Sequence, residues 1–295
     1  MSIEPRVDLT LLLCKAELER LIREFDSNPS RSAFYDIGAV AEVLVLCVEI
    51  PAAESLLQLL RDASARWLKS GLFEDLLIAR AEFAYHIAML CYLAQDARSW
   101  NPADMDVIRD LYNGRMITRS EMPLLRQRLI IAYLAQCGLQ TYSGQPESRD
   151  LERSINRRGL RARYDEFDLQ VLLMCAQLLQ LKGSEVQEVP RTYPQVLLVQ
   201  AMRSENRNWA PVLTLLCSRF FEARESLLHA ALQSMQDLIP SPGQLLPPPP
   251  TSHLDSEYIS RTERGLRLRS TIALALTLDS LGELYDASQL SAAVA

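Results

Sequence analysis

A carboxylate and an imidazole one helical turn apart are the first residues of this sequence that could do chemistry. Glu82 and His86 lie four positions apart in a largely apolar stretch, a spacing that puts both side chains on one face of a helix. Such a pair can act as a catalytic acid and base, or it can supply two ligands of a metal ion. The other histidines, His229 and His253, are far away in the sequence. We therefore predict no metal ion or other cofactor, and we favour a partly buried ion pair over a catalytic role for Glu82 and His86.

An arginine-rich hexapeptide of the form R-G-L-R-x-R occurs twice, each time shortly before a long apolar run. Its six arginines are Arg158, Arg161, Arg163, Arg264, Arg267 and Arg269. Arginine binds carboxylates and phosphates through paired hydrogen bonds, so the two copies could together form one site for an acidic ligand. Acidic residues also lie close to each copy in the sequence, and local ion pairs at two helix ends are the favoured interpretation. Both interpretations stay open from the sequence alone.

A third cluster is acidic and contains Asp165, Glu166 and Asp168. The aspartate-rich motif of helical isoprenoid synthases needs acids at positions i, i+1 and i+4, but Leu169 occupies the last of these positions. Acids in the first turn of a helix are explained by the helix dipole alone. The sequence also lacks the motifs of zinc peptidases, serine hydrolases, phosphate-binding loops and dinucleotide-binding loops. It therefore indicates no particular reaction.

The elements that must position these residues are all predicted to be helices. Apolar residues recur at helical spacing along the chain, and no segment alternates as a half-buried strand would. The predicted fold class is all-α, a globular bundle of stacked helical hairpins. Glu-Phe followed by a cysteine recurs before Cys91 and before Cys175, which suggests degenerate internal repeats.

Proline and glycine mark the predicted ends of helices within a core domain of about nine helices over residues 1–239. Pro51 should open a helix and Gly71 should close it, because proline suits a first turn and glycine suits the position after a last turn. One uninterrupted helix is predicted from about Trp209 to Leu238.

The C-terminal part of the chain begins with a proline-rich segment. Six of the 15 prolines lie between Pro240 and Pro250, and four consecutive prolines favour a stiff, extended conformation. We therefore predict a linker over residues 240–255. A final helix within residues 256–295 is predicted to pack back on the core domain.

One stretch of the sequence resembles a known group of proteins. Arg66-Trp67-Leu68, followed by Phe73 and by Arg80-Ala81-Glu82-Phe83-Ala84, is similar to the start of uncharacterised all-helical proteins that are encoded near bacterial natural-product genes. The resemblance implies a helical fold. Such proteins have no assigned chemistry, so the resemblance supplies neither catalytic residues nor a ligand.

Charge and cysteine usage limit the predicted partners and compartment. The formal net charge of -6 argues against binding to nucleic acid or to anionic membranes, since both need a basic surface. The 6 cysteines occur singly within apolar runs, and none is near a histidine in sequence. This pattern is typical of buried, reduced thiols, which predicts a cytoplasmic protein.

Two functions from different classes are consistent with these observations. The favoured hypothesis is an accessory or interaction protein that binds a peptide or protein partner between its helices. The alternative is an enzyme whose apolar helical pocket acts on a small molecule in bacterial specialised metabolism. An open groove beside an exposed apolar patch would favour the first hypothesis, and a closed pocket with a few polar groups would favour the second. The oligomeric state stays open.

Overall fold

The all-α class is confirmed by the structure, a computed structural model. It describes residues 4–79, 83–94, 124–137, 166–181, 192–203, 209–221, 223–236, 238, 244–247 and 256–282. Within these ranges the chain forms eleven α-helices and two short 3-10 segments, and it forms no strand there. None of the helices in these ranges is both long enough and apolar enough to cross a membrane.

The helices are numbered here in chain order. They are α1 (Glu4–Ser27), α2 (Arg31–Leu44), α3 (Glu54–Lys69), α4 (Leu72–Ala79), α5 (Ala84–Ala94), α6 (Leu124–Gln136), α7 (Glu166–Gln180), α8 (Thr192–Arg203), α9 (Ala210–Arg219), α10 (Glu225–Gln236) and α11 (Ser256–Gly282). The 3-10 segments Val45–Cys47 and Pro51–Ala53 lie between α2 and α3.

Local sequence signals account for several helix ends. The Ser30 side chain accepts a hydrogen bond of 3.2 Å from the backbone N–H of Ala33 and so caps the start of α2. Pro51 opens the 3-10 turn that leads into α3. Gly71 follows α3 with a φ of 75°, a conformation that favours glycine. The predicted roles of Pro51 and Gly71 are confirmed.

The segment predicted as one helix from Trp209 to Leu238 is two helices, and that prediction is wrong. α9 ends at Arg219, and α10 begins at Glu225 after a turn in which Phe221 is buried. The turn brings the two helices together, and the Thr214 hydroxyl lies 3.8 Å from the Met235 sulfur. Burial of both apolar faces in one hairpin therefore outweighs the preference of the local sequence for a continuous helix.

The chain divides into two compact units, which are described separately. The first unit consists of Met1–Leu56, Tyr164–Glu166 and Arg191–Ala295, and the second consists of Leu57–Arg163 and Phe167–Pro190. The predicted core over residues 1–239 stays a prediction. Of the predicted linker, only residues 244–247 are among the described residues.

α11 is the central helix of the first unit. It packs most extensively on α2 and also contacts α1 and α9. α9 packs in turn on α8 and α10, which also contact each other. Nearly every side chain of α11 between Gly265 and Leu278 is buried. The second half of this segment, residues 272–278, is apolar on nearly all sides, which fits a central position because such a helix has to be covered on all sides.

The second unit contains a buried hydrogen-bonded hub. The hydroxyls of Tyr85 on α5 and Tyr133 on α6 donate to the side-chain oxygen of Gln177 on α7, at 2.7 and 2.9 Å. The Gln177 side chain is only 1% exposed. Because a buried amide is costly without hydrogen bonds, this hub specifies how α5, α6 and α7 pack.

Candidate functional site

The candidate site lies in the first unit, where α2 and α11 come very close to each other. A Cβ atom at residue 265 would clash with the backbone of Asp36, at 2.6 Å from its carbonyl oxygen, so only glycine fits there. The absence of that Cβ lets the backbone N–H of Gly265 donate a hydrogen bond of 2.7 Å to Asp36 Oδ1. The Gly265 of the second R-G-L-R-x-R element is therefore the contact point between the two helices.

Residues 244–247 run along α11 as a short strap. The backbone N–H of Leu246 donates to the Thr271 hydroxyl at 3.0 Å, and Arg267 Nε donates to the Leu246 carbonyl at 3.0 Å. The Leu246 side chain is 2% exposed. Hydrogen bonds from both backbone groups of Leu246 to side chains of α11, together with its buried side chain, thus fix the strap to the helix.

A groove of about 860 Å³, open to solvent, lies between this strap and helices α1, α2 and α11. Its lining residues are Leu13, Glu17, Arg20, Ser32, Asp36, Gln244, Leu245, Pro247, Glu263, Arg264 and Arg267. The wall therefore combines apolar side chains with arginines and carboxylates. We call this feature the α1–α11 groove.

Four charged side chains form an alternating network beside the α1–α11 groove, and three of them, Glu17, Arg20 and Arg264, line it. Arg264 lies 2.6 Å from Glu24 and 3.5 Å from Glu17, and Arg20 lies 2.5 Å from Glu17 and 4.0 Å from Glu24. The hydrogen bond from Arg264 holds the pKa of the Glu24 carboxyl below its usual 4.5. Two arginines and two glutamates thus balance one another.

Arg267 is held differently from Arg264. Its Nε and Nη2 donate to the backbone carbonyls of Leu246 and Leu245, at 3.0 and 3.5 Å. Among the described residues, no carboxylate lies within ion-pair distance of Arg267. The strap therefore fixes this guanidinium at the groove while leaving its charge without a counterion in the described part of the chain.

Arg269 does not belong to the groove. It is 1% exposed, lies 3.3 Å from Glu42 on α2, and stacks with its guanidinium carbon 5.5 Å from the centroid of the Trp209 ring. A buried arginine is tolerated where a carboxylate and an aromatic face replace water. The structure thus separates the three arginines of the second element into two groove residues and one core residue.

Burial dominates the electrostatics of Asp36. Its side chain is 6% exposed, and this burial raises its pKa from 3.8 to about 6, against the lowering effects of the Gly265 N–H and of the Arg264 charge. The nearby carboxylates of Glu24 and Glu263 raise the pKa further. Asp36 therefore takes up a proton at a pH where exposed aspartates are ionised.

The remaining predicted site residues are not brought into the groove by any described contact. His86 is buried on α5 in the second unit, where its ring centroid lies 4.9 Å from that of Tyr85. Glu82, Arg158, Arg161 and Arg163 lie outside the described residues. A catalytic pair of Glu82 and His86, and a site shared by both arginine elements, therefore stay predictions.

The cysteines are free thiols, and five of the six are buried. The expectation that all six are buried is wrong for Cys137, which is partly exposed because it follows the last residue of α6. Burial raises the pKa of Cys47, Cys137, Cys175 and Cys217 to about 12 and raises that of Cys14 and Cys91 as well. These thiols are therefore protonated at neutral pH and are poor nucleophiles.

Several residues of the site were not predicted from the sequence. Asp36 carried a usable signal, because it and Glu42 are the two acids in the mostly apolar run that becomes α2. Glu17 and Glu24 carried no such signal, since their pairing with Arg264 joins positions about 240 residues apart. The role of the strap was also invisible, because it depends on the packing of Leu246 against α11.

The fold and the groove define an all-helical chain with a surface site of mixed charge. No family model, no curated protein and no solved structure matches the chain.

Proposed function

We propose that this protein binds a peptide segment of a partner protein in the α1–α11 groove. The observation that carries the proposal is the groove itself, an open hollow of about 860 Å³ whose wall alternates apolar and charged side chains. Protein-binding surfaces commonly combine an apolar centre with a polar rim that fixes orientation. Small-molecule sites are typically enclosed pockets lined mainly by apolar and aromatic groups. This groove is open, and its wall carries several charged side chains.

An apolar stripe on α1 leads towards the groove and supports the same proposal. Leu9 and Leu12 are exposed by 49% and 62%, the large apolar side chains of the described residues with the highest exposure. They share one helix face with Leu13, which lines the groove, and with the exposed Ala16. The spacing i, i+3, i+4 and i+7 gives α1 a second apolar stripe besides the one that it buries in the core. A partner segment that covered this stripe would gain hydrophobic stabilisation.

A cytoplasmic location forms part of the proposal. All six cysteines are unpaired thiols, although several are buried in a packed interior. Reduced cysteines used as core residues are typical of proteins in a reducing compartment.

Photocrosslinking with a matched control position tests the proposed function. A photoreactive amino acid replaces Gln244, which is exposed at the groove, or Gln200, which is exposed on α8 outside it. We expect a polypeptide adduct from position 244, no adduct of that mass from position 200, and loss of the adduct when Leu13→Asp is added. Equal adducts from both positions, or an adduct that survives Leu13→Asp, would contradict the proposal.

A further inference from the structure

We infer that the partner segment bound in the α1–α11 groove is acidic and that one of its carboxylates binds Arg267. This inference rests on the proposed function and adds the chemistry of the partner. It follows from a comparison of the charges in the groove, which shows which of them are already satisfied within the chain.

Most charges of the groove are compensated internally. Arg264 bridges Glu17 and Glu24, and Arg20 approaches the same two carboxylates. A partner that competed for these arginines would have to displace existing ion pairs. The network therefore offers little attraction for a charged partner.

Arg267 is the exception among the groove arginines of the described chain. A guanidinium has five N–H donors, and two of them are used on the carbonyls of Leu245 and Leu246. These two bonds hold the side chain in one orientation, which reduces the entropy that binding would cost. The remaining donors and the full positive charge are suited to a carboxylate.

The two remaining acidic residues of the groove, Asp36 and Glu263, do not prevent Arg267 from binding a partner's carboxylate. Asp36 is 6% exposed and already accepts a hydrogen bond from Gly265, so a partner's cation cannot reach it easily. Glu263 lies one helical turn before Arg267 but is exposed, and no ion pair joins the two in the described part of the chain. Among the described residues, Arg267 is therefore the groove cation that no carboxylate pairs with, and the unpaired carboxylate of Glu263 lies on a more exposed side chain.

Apolar residues around Arg267 favour a peptide over a nucleic acid as the source of the negative charge. Leu13, Leu245 and Pro247 line the same groove, and they suit leucine-like side chains rather than a phosphate backbone. The net charge of the chain is -6, which repels a polyanion. A short segment with a carboxylate next to large apolar side chains fits both features.

Selection from a random peptide library tests the inference. The probe is a displayed library of peptides about twelve residues long, a length of about 18 Å as a helix, selected on the wild-type protein and on two variants. Arg267→Gln removes the charge in the groove. Arg203→Gln is the matched control, because Arg203 is an exposed arginine on α8 outside the groove. The best peptide is then labelled, and its Kd is measured by fluorescence anisotropy on all three proteins.

We expect the wild type and Arg203→Gln to enrich peptides that carry Asp or Glu next to leucine-like residues. Arg267→Gln should bind the best peptide about tenfold more weakly, because a charge-assisted hydrogen bond is lost. Replacing the acids of that peptide with their amides should cause a similar loss on the wild type and little further loss on Arg267→Gln.

Other outcomes overturn the inference, and they separate it from the proposed function. Enriched peptides that are neutral or basic, but that still block crosslinking from position 244, refute the acidic partner and leave a peptide-binding groove. An absence of enriched peptides refutes both. An oligonucleotide that binds through Arg267, or a homodimer that Arg267→Gln dissociates in sedimentation experiments, would replace the peptide with a nucleic acid or with a second copy of the chain.

Discussion

Replacing Asp36 with asparagine should stabilise the protein at neutral pH but not under acidic conditions. The Asp36 carboxyl is buried where α2 meets α11, and it accepts a hydrogen bond of 2.7 Å from Gly265. Asparagine has nearly the same shape and keeps an oxygen that can accept this bond. It carries no charge, so the variant avoids the cost of burying a carboxylate.

The magnitude of the stabilisation by Asp36→Asn follows from the pKa of Asp36, which burial raises from 3.8 to about 6. Between these two pH values the folded protein binds more protons than the unfolded chain, so the wild type loses stability as the pH rises through this window. The loss is complete above about pH 6 and amounts to about 3 kcal/mol, since each pKa unit corresponds to about 1.4 kcal/mol. The free energy of unfolding of Asp36→Asn, relative to wild type, should therefore rise by about 2 to 3 kcal/mol between pH 4 and pH 8.

Urea denaturation followed by circular dichroism at a series of pH values measures this difference. Asp8→Asn is the control, because Asp8 is an exposed carboxylate on α1, and this variant should change the free energy of unfolding by less than about 0.5 kcal/mol. A difference between Asp36→Asn and wild type that stays constant from pH 4 to pH 8 would refute the argument. It would mean that Asp36 is not desolvated by the contact between α2 and α11.

The other predictions concern packing, thiols and the buried ion pair. Gly265→Ala should lower the free energy of unfolding by about 3 kcal/mol or more, because its Cβ would clash with the Asp36 backbone; denaturation measures this loss. A thiol reagent should label Cys137 first in the native protein and the five buried cysteines only after unfolding, as mass spectrometry can show. Arg269→Met should cost about 3 to 5 kcal/mol, since it removes the buried cation that lies 3.3 Å from the Glu42 carboxylate, and Arg269→Met with Glu42→Leu should recover most of that loss.

Each of these three predictions can be contradicted by one result. A Gly265→Ala variant as stable as the wild type would show that α2 and α11 are farther apart than described. Native labelling of several cysteines at the rate of Cys137 would show that the interior is open. A double variant no more stable than Arg269→Met would show that Glu42 was not destabilised by the loss of its partner.

Local features of the fold could be predicted from the sequence, whereas the groove could not. Pro51 and Gly71 act within one turn of the chain, so their effects follow from backbone preferences alone. The turn between α9 and α10 has no comparable local signal. It forms because the two helices bury their apolar faces against each other, and this tertiary effect overrides local helix propensity.

The second arginine element shows what helical periodicity can predict and what it cannot. Arg264 and Arg267 are three residues apart and so share a helix face, whereas Arg269 is five residues after Arg264 and points about 140° away. This difference could have been read from the sequence, and it separates the groove residues from the core residue. The partners of Arg264 and Arg269 could not have been predicted from the sequence, because Glu24 and Glu42 lie more than 200 residues earlier. They reach the arginines only through the packing of α11.

The closure of the first unit by α11 sets an order of events during synthesis on the ribosome. The hydrogen bond between Asp36 and Gly265 cannot form until Gly265 has been synthesised, 229 positions later in the chain. At about 5 to 20 residues per second this delay lasts about 10 to 45 s. All of the second unit, which ends at Pro190, is synthesised before α11 begins at Ser256. During this interval the apolar surface of α2 lacks its main cover, so the nascent chain keeps apolar surface exposed until its last long helix emerges.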